Sequence, residues 1–299
     1  MTLPPLYKYL DVLGAKLTLR NRTFKHAKPS DFNDTEDLTV QSIFPEDIEE
    51  AVKKMDGGLT DVILRNLGKD VTCHSPMKEK VEALQKIYRA NPKAAGLAQA
   101  KRLNAGEQND CVEYYRNLAW SHIAEINEFM QGYRVLCVTT HKDSERMWNE
   151  YADRHTGVAI RIQPHLAKDS KFQLFRPVTY QEKRPPVYED TFEFISDSLF
   201  GDHEARNKEI IERILYTKTL NWQHEGEYRL VIPSFEYEQS WNTLPYHPEE
   251  ITELYLGLEM DESDIVDIVG TACIVNRDIA IFKAKCDREG KLTFDHWPP

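Results

Sequence analysis

Long apolar runs are missing from this chain, and none approaches the length needed to span a bilayer. The opening MTLPPLYKYL lacks a basic stretch followed by an apolar one, so no signal peptide is expected and the expected compartment is the cytoplasm. Cysteine is scarce. Cys73, Cys111, Cys137, Cys273 and Cys286 form no CxxC pair, which argues against a zinc site of ordinary spacing and against a disulfide framework. Cations are outnumbered. Lys and Arg total 38 against 49 Asp and Glu, a net charge of -11, and such a surface repels phosphate backbones. That excludes a large non-specific nucleic-acid footprint but leaves room for a local basic groove. Arg20 to Lys28, RNRTFKHAK, is the candidate, with four cations and His26. The sequence has no HExxH, EF-hand loop, P-loop, GxGxxG or GxSxG, and no metal is expected.

What is present reads in three zones. The 299 residues suit one elaborated domain, 1–299, with a helical insertion at 45–130. The first zone predicts a short strand at LYKYL, a short helix, a second strand and a turn-rich loop at KPSDFNDTED. The second is helical. Val112, Tyr115, Ala119, Ile123, Ile126 and Met130 recur at spacings of three and four, which marks one buried face. PEDIEEAVKKM, from Pro45, and MKEKVEALQKIYRA predict two more helices. The third zone, from Tyr133, predicts strands at YRVLCVTT, GVAIRI, KFQLFRPVTY, EYRLVI, ITELYLG and IAIFKAK. Helices are expected at MWNEYADRH, at HEARNKEIIERILYTK and at DESDIVDIVG, the last ended by Gly270. The fold class expected is α+β, a split, mixed or antiparallel sheet core with a helical insertion.

Four clusters carry candidate chemistry. In LYKYL, Tyr7 and Tyr9 point one way from a strand and Lys8 the other. Thr139 and Thr140 end a strand with two hydroxyls. Trp148, Tyr151 and His155 are spaced to share a helical face, packing as an aromatic stripe or, for His155, offering a donor to a ligand. Gly157 then lets the chain turn. In NWQHEGEYRLVIP, Glu225 and Glu227 face the same side if the strand already begins there. Either one carboxyl has a raised pKa, or both are solvated at a strand entrance with Arg229 as counter-ion.

Taken in order, the motifs LYKY (Leu6–Tyr9), PSDFND (Pro29–Asp34), MW..YA..H.GV.I (Met147–Ile160), W..E.EYRL (Trp222–Leu230) and a strand ending in Gly257 resemble the bacterial domain of unknown function 2971. DTED stands where that family often has Asp-Pro-Phe-Glu, and Thr139-Thr140 where a Phe-Ser pair is common. LYKYL, CVTT and EGEYRLVIP also resemble, in the same order, the three elements of NAD-dependent ADP-ribosyltransferases. Lys8 stands where Arg or His is usual, and the last strand has one extra residue.

That second resemblance implies an ADP-ribosyltransferase-like sheet and cleavage of the nicotinamide–ribose bond of NAD, with transfer to a protein, a nucleic acid or water. It also points to a toxin or antiviral defence setting. It implies that Glu227 stabilises the oxocarbenium-like state and that Glu225 orients or deprotonates the acceptor. Tyr9 or Tyr151 would stack on nicotinamide, with Tyr7 and His155 also at the site. Lys8, Arg20 or Arg22 would pair with the pyrophosphate, and Thr139 and Thr140 would bond the ribose or support Glu227. The alternatives are a hydrolase or nuclease using His155 with Glu225 and Glu227, and a non-catalytic sensing or interaction module.

Overall fold

The computed structural model describes residues 3–74, 77–104, 111–234 and 241–297. The chain begins with β1 (Leu6–Leu10), and the Asp11 carboxylate then caps α1 (Val12–Asn21) by accepting from the Gly14 amide at 2.6 Å. Arg22, at φ 53°, ends that helix, and β2 (Thr23–Ala27) follows. Four helices come next: α2 (Ile48–Arg65), α3 (Met77–Ala90), α4 (Pro92–Asn104) and α5 (Cys111–Met130). Then come β3 (Tyr133–Thr139), α6 (Glu145–Tyr151), β4 (Val158–Ile162), β5 (Arg176–Pro177), β6 (Thr179–Gln181), α7 (Thr191–Phe200) and α8 (His203–Tyr216). The chain continues through β7 (Thr217–Thr219), β8 (Glu227–Pro233), β9 (Trp241–Pro245), β10 (Ile251–Leu256), α9 (Glu262–Val275), β11 (Ala280–Cys286) and β12 (Leu292–His296). Among the described residues no helix is long and apolar enough to cross a membrane.

The residues fall into two compact units. One comprises Met1–Asp37, Gln131–Lys183 and Tyr216–Pro299, the other Leu38–Met130 and Arg184–Leu215. The helical stretch expected at 45–130 thus belongs with α7 and α8 in one unit. In that unit α2 starts at Ile48, after the turn that Pro45 helps make, because Asp47 accepts from the Glu49 amide and caps it there. Tyr115, Ala119, Ile123, Ile126 and Met130 form the buried face of α5. Phe194 packs edge-on against Phe44 (5.3 Å) and Tyr188 (5.1 Å).

The strand-bearing unit is built on a ten-stranded sheet in the order β12-β11-β10-β4-β1-β3-β2-β9, with β8 also on β3 and β5 on β8. Among the described residues only β10 and β11 pair in parallel within it, so the sheet is mixed and mainly antiparallel, and the protein is α+β. A separate pair, β6 and β7, is parallel. The division of the large sheet sits at β3. Tyr7 of β1 pairs with Thr139 near one end of it, and Ala27 of β2 pairs with Val135 near the other. Between those contacts β1 and β2 part, and α1 links them. One core holds Leu6, Ile160 and Leu254 with Ala15 and Leu19 of α1 and Ile265, Ile268 and Ala272 of α9. A second, across β1, holds Tyr7, Tyr9, Trp148 and Tyr255. This separation follows from the period-two alternation of β1.

The helix expected over HEARNKEIIERILYTK ends at Tyr216, and Thr217 and Lys218 begin β7 instead. Three further elements differ. KFQLFRPVTY is not one strand: Lys171–Leu174 is a 3-10 turn, followed by β5 and β6. That turn brings Phe172 and Phe175 together, stacked at 5.7 Å, with Phe172 edge-on to Phe24. Helix α9 continues past Gly270 to Val275, because Ile265, Ile268, Val269, Ala272 and Val275 bury a continuous stripe. Their burial outweighs the roughly 1 kcal/mol that a mid-helix glycine costs. Helix α6 stops at Tyr151, and Asp153, Arg154 and His155 adopt left-handed φ of 44°, 55° and 67°. His155 is therefore not on a helical face. It still stacks on Trp148 at 5.8 Å because the chain doubles back.

His26 gives this unit a pH dependence. Its ring is buried, Nδ1 lies 3.2 Å from the Phe24 carbonyl, and Nε2 has no partner among the described residues. Burial first, then Lys8 and Lys171, lowers its pKa to about 4 against the carbonyl's opposing pull. The unfolded chain takes up this proton near pH 6.5 and the folded chain only near 4. The stabilisation is therefore complete above 6.5 and is lost as pH falls through 4, by about 3 kcal/mol at pH 4. Urea unfolding at pH 7 and pH 4.5 should show this loss in the wild type and a smaller one in His26→Leu. Equal pH dependence in the two proteins contradicts the assignment.

Candidate functional site

A cleft of about 880 Å³ opens beside the division of the sheet. Register explains much of its lining. Trp241 and Thr243 of β9, Thr23, Lys25 and Ala27 of β2, Val135, Cys137 and Thr139 of β3, and Glu227 of β8 all line it. These are alternate residues of their strands, Phe24 of β2 and Val138 of β3 line the cleft as well, and Ala27 pairs with both Trp241 and Val135 while Thr139 pairs with Glu227. Leu13, Gly14, Leu17 and Asn21 of α1 and Tyr151 of α6 complete other walls. Lys8 lines the cleft where β1 leaves β3, and its ammonium donates to the Cys137 carbonyl at 3.1 Å. Burial lowers the Lys8 pKa, against the pull of Glu227 and Glu225.

The two glutamates are not solvated, contrary to the strand-entrance reading. Each is 4% exposed. Nor do they sit on one strand. Leu220–Glu225 is a 3-10 turn, Gly226 takes φ 51°, and β8 starts at Glu227. Gly226 is needed twice over. Its backbone is left-handed, and a Cβ there would lie 2.6 Å from His141 Nε2 and 2.7 Å from Thr140 Oγ1. The kink turns both carboxylates toward Lys218 of β7. The Lys218 ammonium donates to Glu225 at 2.6 Å and to Glu227 at 3.3 Å, and lies 4.4 Å over the Trp222 ring. Trp222 thus packs on a cation at the strand entrance.

Each carboxylate then has its own partners. Glu225 accepts from the Tyr151 hydroxyl at 2.5 Å. Glu227 accepts from Arg229 through Nε at 2.7 Å and Nη2 at 3.1 Å, and its amide donates to the Tyr180 hydroxyl at 2.9 Å. Arg229 also donates to Asp37, which lies 3.7 Å from Lys218. Asp37, Glu225 and Glu227 thus meet Lys218 and Arg229 in one buried cluster. Burial raises the pKa of both glutamates, but Arg229 and Lys218 overcome it at Glu227, which falls to about 2. At Glu225 burial wins over Lys218, Glu227 adds to it, and the pKa is raised. The same cluster thus holds Glu227 as an anion and pushes Glu225 the other way.

The cleft therefore brings together Tyr7, Lys8, Tyr9, Thr139, Tyr151, Glu225 and Glu227. Their roles in it differ. Tyr9 packs edge-on against Trp148 at 5.1 Å and donates to the His141 carbonyl, so Tyr151 offers the freer aromatic surface. Thr139 donates to the Glu225 carbonyl and accepts from the His141 amide at 3.0 Å, which makes it a support of the glutamate turn. Thr140 abuts Gly226, Arg22 caps α1 and His155 meets Glu145 at 3.0 Å; none of these three lines the cleft. Arg20 is paired with Asp267 on α9. Lys218, Asp37 and Tyr180 were not singled out from sequence. Lys218 sits in TKT, with nothing local to mark it as buried, and Asp37 is 192 positions from Arg229.

Residues 147–230 match the family model described as "Protein of unknown function (DUF2971)", a span that holds both the MW..YA..H.GV.I and W..E.EYRL motifs. No curated protein and no solved structure matches the chain.

Proposed function

Because the chain carries the DUF2971 signature over residues 147–230, and that description names no reaction, function has to be argued from the cleft: we propose that the protein cleaves the nicotinamide–ribose bond of NAD and passes ADP-ribose to an acceptor. The observation that carries this reading is the convergence of LYKYL, CVTT and EGEYRL on one cleft, with two buried carboxylates of opposite acidity. Departure of neutral nicotinamide leaves positive charge on the ribose. A carboxylate held ionised beside it lowers the energy of that state. Glu227 has that character. Glu225, with its raised pKa, is suited to take the proton from the attacking acceptor, while Tyr151 and Lys218 hold it in place. Lys8 supplies a cation for the pyrophosphate. The cleft volume lies within the usual range for small-molecule and cofactor sites.

Thermal melting with and without NAD tests the substrate. Ligand at a hundred times its Kd adds about 2.7 kcal/mol to stability, which should raise Tm by several degrees. The same gain is expected in Glu227→Gln, where the dinucleotide survives the experiment. No shift in either protein, at millimolar NAD, overturns the reading.

A further inference from the structure

The carboxylates occupy one end of the cleft, and the opposite end has a different chemistry that the reaction does not use. Trp241 lies on β9, three strands from Glu227 in the order β8-β3-β2-β9. At about 4.8 Å per strand that separation is about 14 Å across the sheet. The Trp241 side chain lines the cleft and is 41% exposed. The Lys25 ammonium sits 5.9 Å from its ring centroid, and Thr243, the partner of Lys25 in the ladder, lines the cleft beside them. Leu13 and Leu17, one helical turn apart on α1, also line the cleft and are 66% and 51% exposed. Large apolar side chains at a cleft wall, with their cores already filled elsewhere, are surfaces for a ligand rather than for folding.

From β8 across β3 to β2 and β9 the cleft presents Glu227, then Lys8 bonded to β3, then Lys25, then the Trp241 indole, with Leu13 and Leu17 of α1 also on its wall. That order matches a chain of sugar, two phosphates, a second sugar and a flat base. We infer that the Trp241 end of the cleft is a subsite for the heteroaromatic base of a nucleotide, with Trp241 as its stacking platform and Lys25 as the contact to the adjacent phosphate. The inference rests on reading the cleft as a nucleotide site. It also assigns the basic segment RNRTFKHAK, which the glutamate chemistry leaves aside, to phosphate recognition through Lys25.

Adenosine 5'-monophosphate is the probe, because it carries a base and a phosphate but no nicotinamide bond. Titration calorimetry with the full chain should show binding. Trp241→Ala should weaken it by about tenfold or more, as base–aromatic stacking predicts, and Trp241→Phe should retain most of it. Lys25→Ala should weaken binding of the monophosphate but not of adenosine. Melting of each variant checks that the fold is intact. Failure of the monophosphate to bind, or equal binding by wild type and Trp241→Ala, overturns the subsite. The two readings fail separately. Monophosphate binding lost with Trp241 but no nicotinamide release would sink the reaction and keep the subsite. Nicotinamide release with an unchanged KM in Trp241→Ala would do the reverse.

Discussion

Arg229→Met should destabilise the strand-bearing unit by about 3–5 kcal/mol at neutral pH, the usual result of removing one partner of a buried ion pair. Arg229 is completely buried, and its guanidinium serves both Glu227 and Asp37. Without it, Glu227 and Asp37 lose the guanidinium that both share, and Lys218 is left between Asp37, Glu225 and Glu227. Burial raises the Glu227 pKa and Arg229 is the main cause of its being low, so in the variant burial raises that pKa above the unfolded value. The folded variant then binds more protons than its unfolded chain, and the contribution of Glu227 is present at low pH and lost as pH rises. The deficit relative to wild type should accordingly shrink between pH 7 and pH 4.5 in urea melts. Adding Asp37→Asn to Arg229→Met should recover part of it. A deficit below about 1 kcal/mol at pH 7 would mean that the cluster is solvated like a surface ion pair.

The motifs of this chain were legible where local chemistry determines the outcome. LYKYL, YRVLCVT, VAIRI, EYRLVI and ITELYL alternate or run apolar, and each lies in a strand. MKEKVEALQKIYRA is α3 from end to end. The glycines show a subtler case. Gly157 is expected as a turn residue, and the structure adds a second cause. A Cβ there would lie 2.1 Å from the Leu10 carbonyl oxygen, and one at Gly257 would lie 2.0 Å from that of His155. Both positions demand an absent side chain, because three chain segments touch there through backbone. Long-range partners were not legible. Nothing near Lys218 or Asp37 says that each will meet Glu227 or Arg229 across the fold. The helical spacing of His155 misled because the helix ends four residues earlier, in a left-handed run that the sequence does not announce.

Glu227→Gln should stay folded and lose turnover. Glutamine keeps the shape, and Asp37 and Glu225 still meet Arg229 and Lys218, while the anion that the proposed reaction uses at the ribose is gone. Removing a preorganised group that stabilises developing charge lowers turnover by about a hundredfold or more. Glu225→Gln should instead change the pH profile, since in the proposed reaction Glu225, whose pKa is raised, takes the acceptor's proton. The direct measurement is chromatographic assay of nicotinamide released from NAD, with a cell extract supplied as the source of acceptor. Wild type and Glu227→Gln are compared after melting has shown both to be folded. The expected result is release by the wild type and at least about a hundredfold less by the variant. Equal release by both proteins, or none by the wild type, contradicts the assignment of this cleft to NAD cleavage.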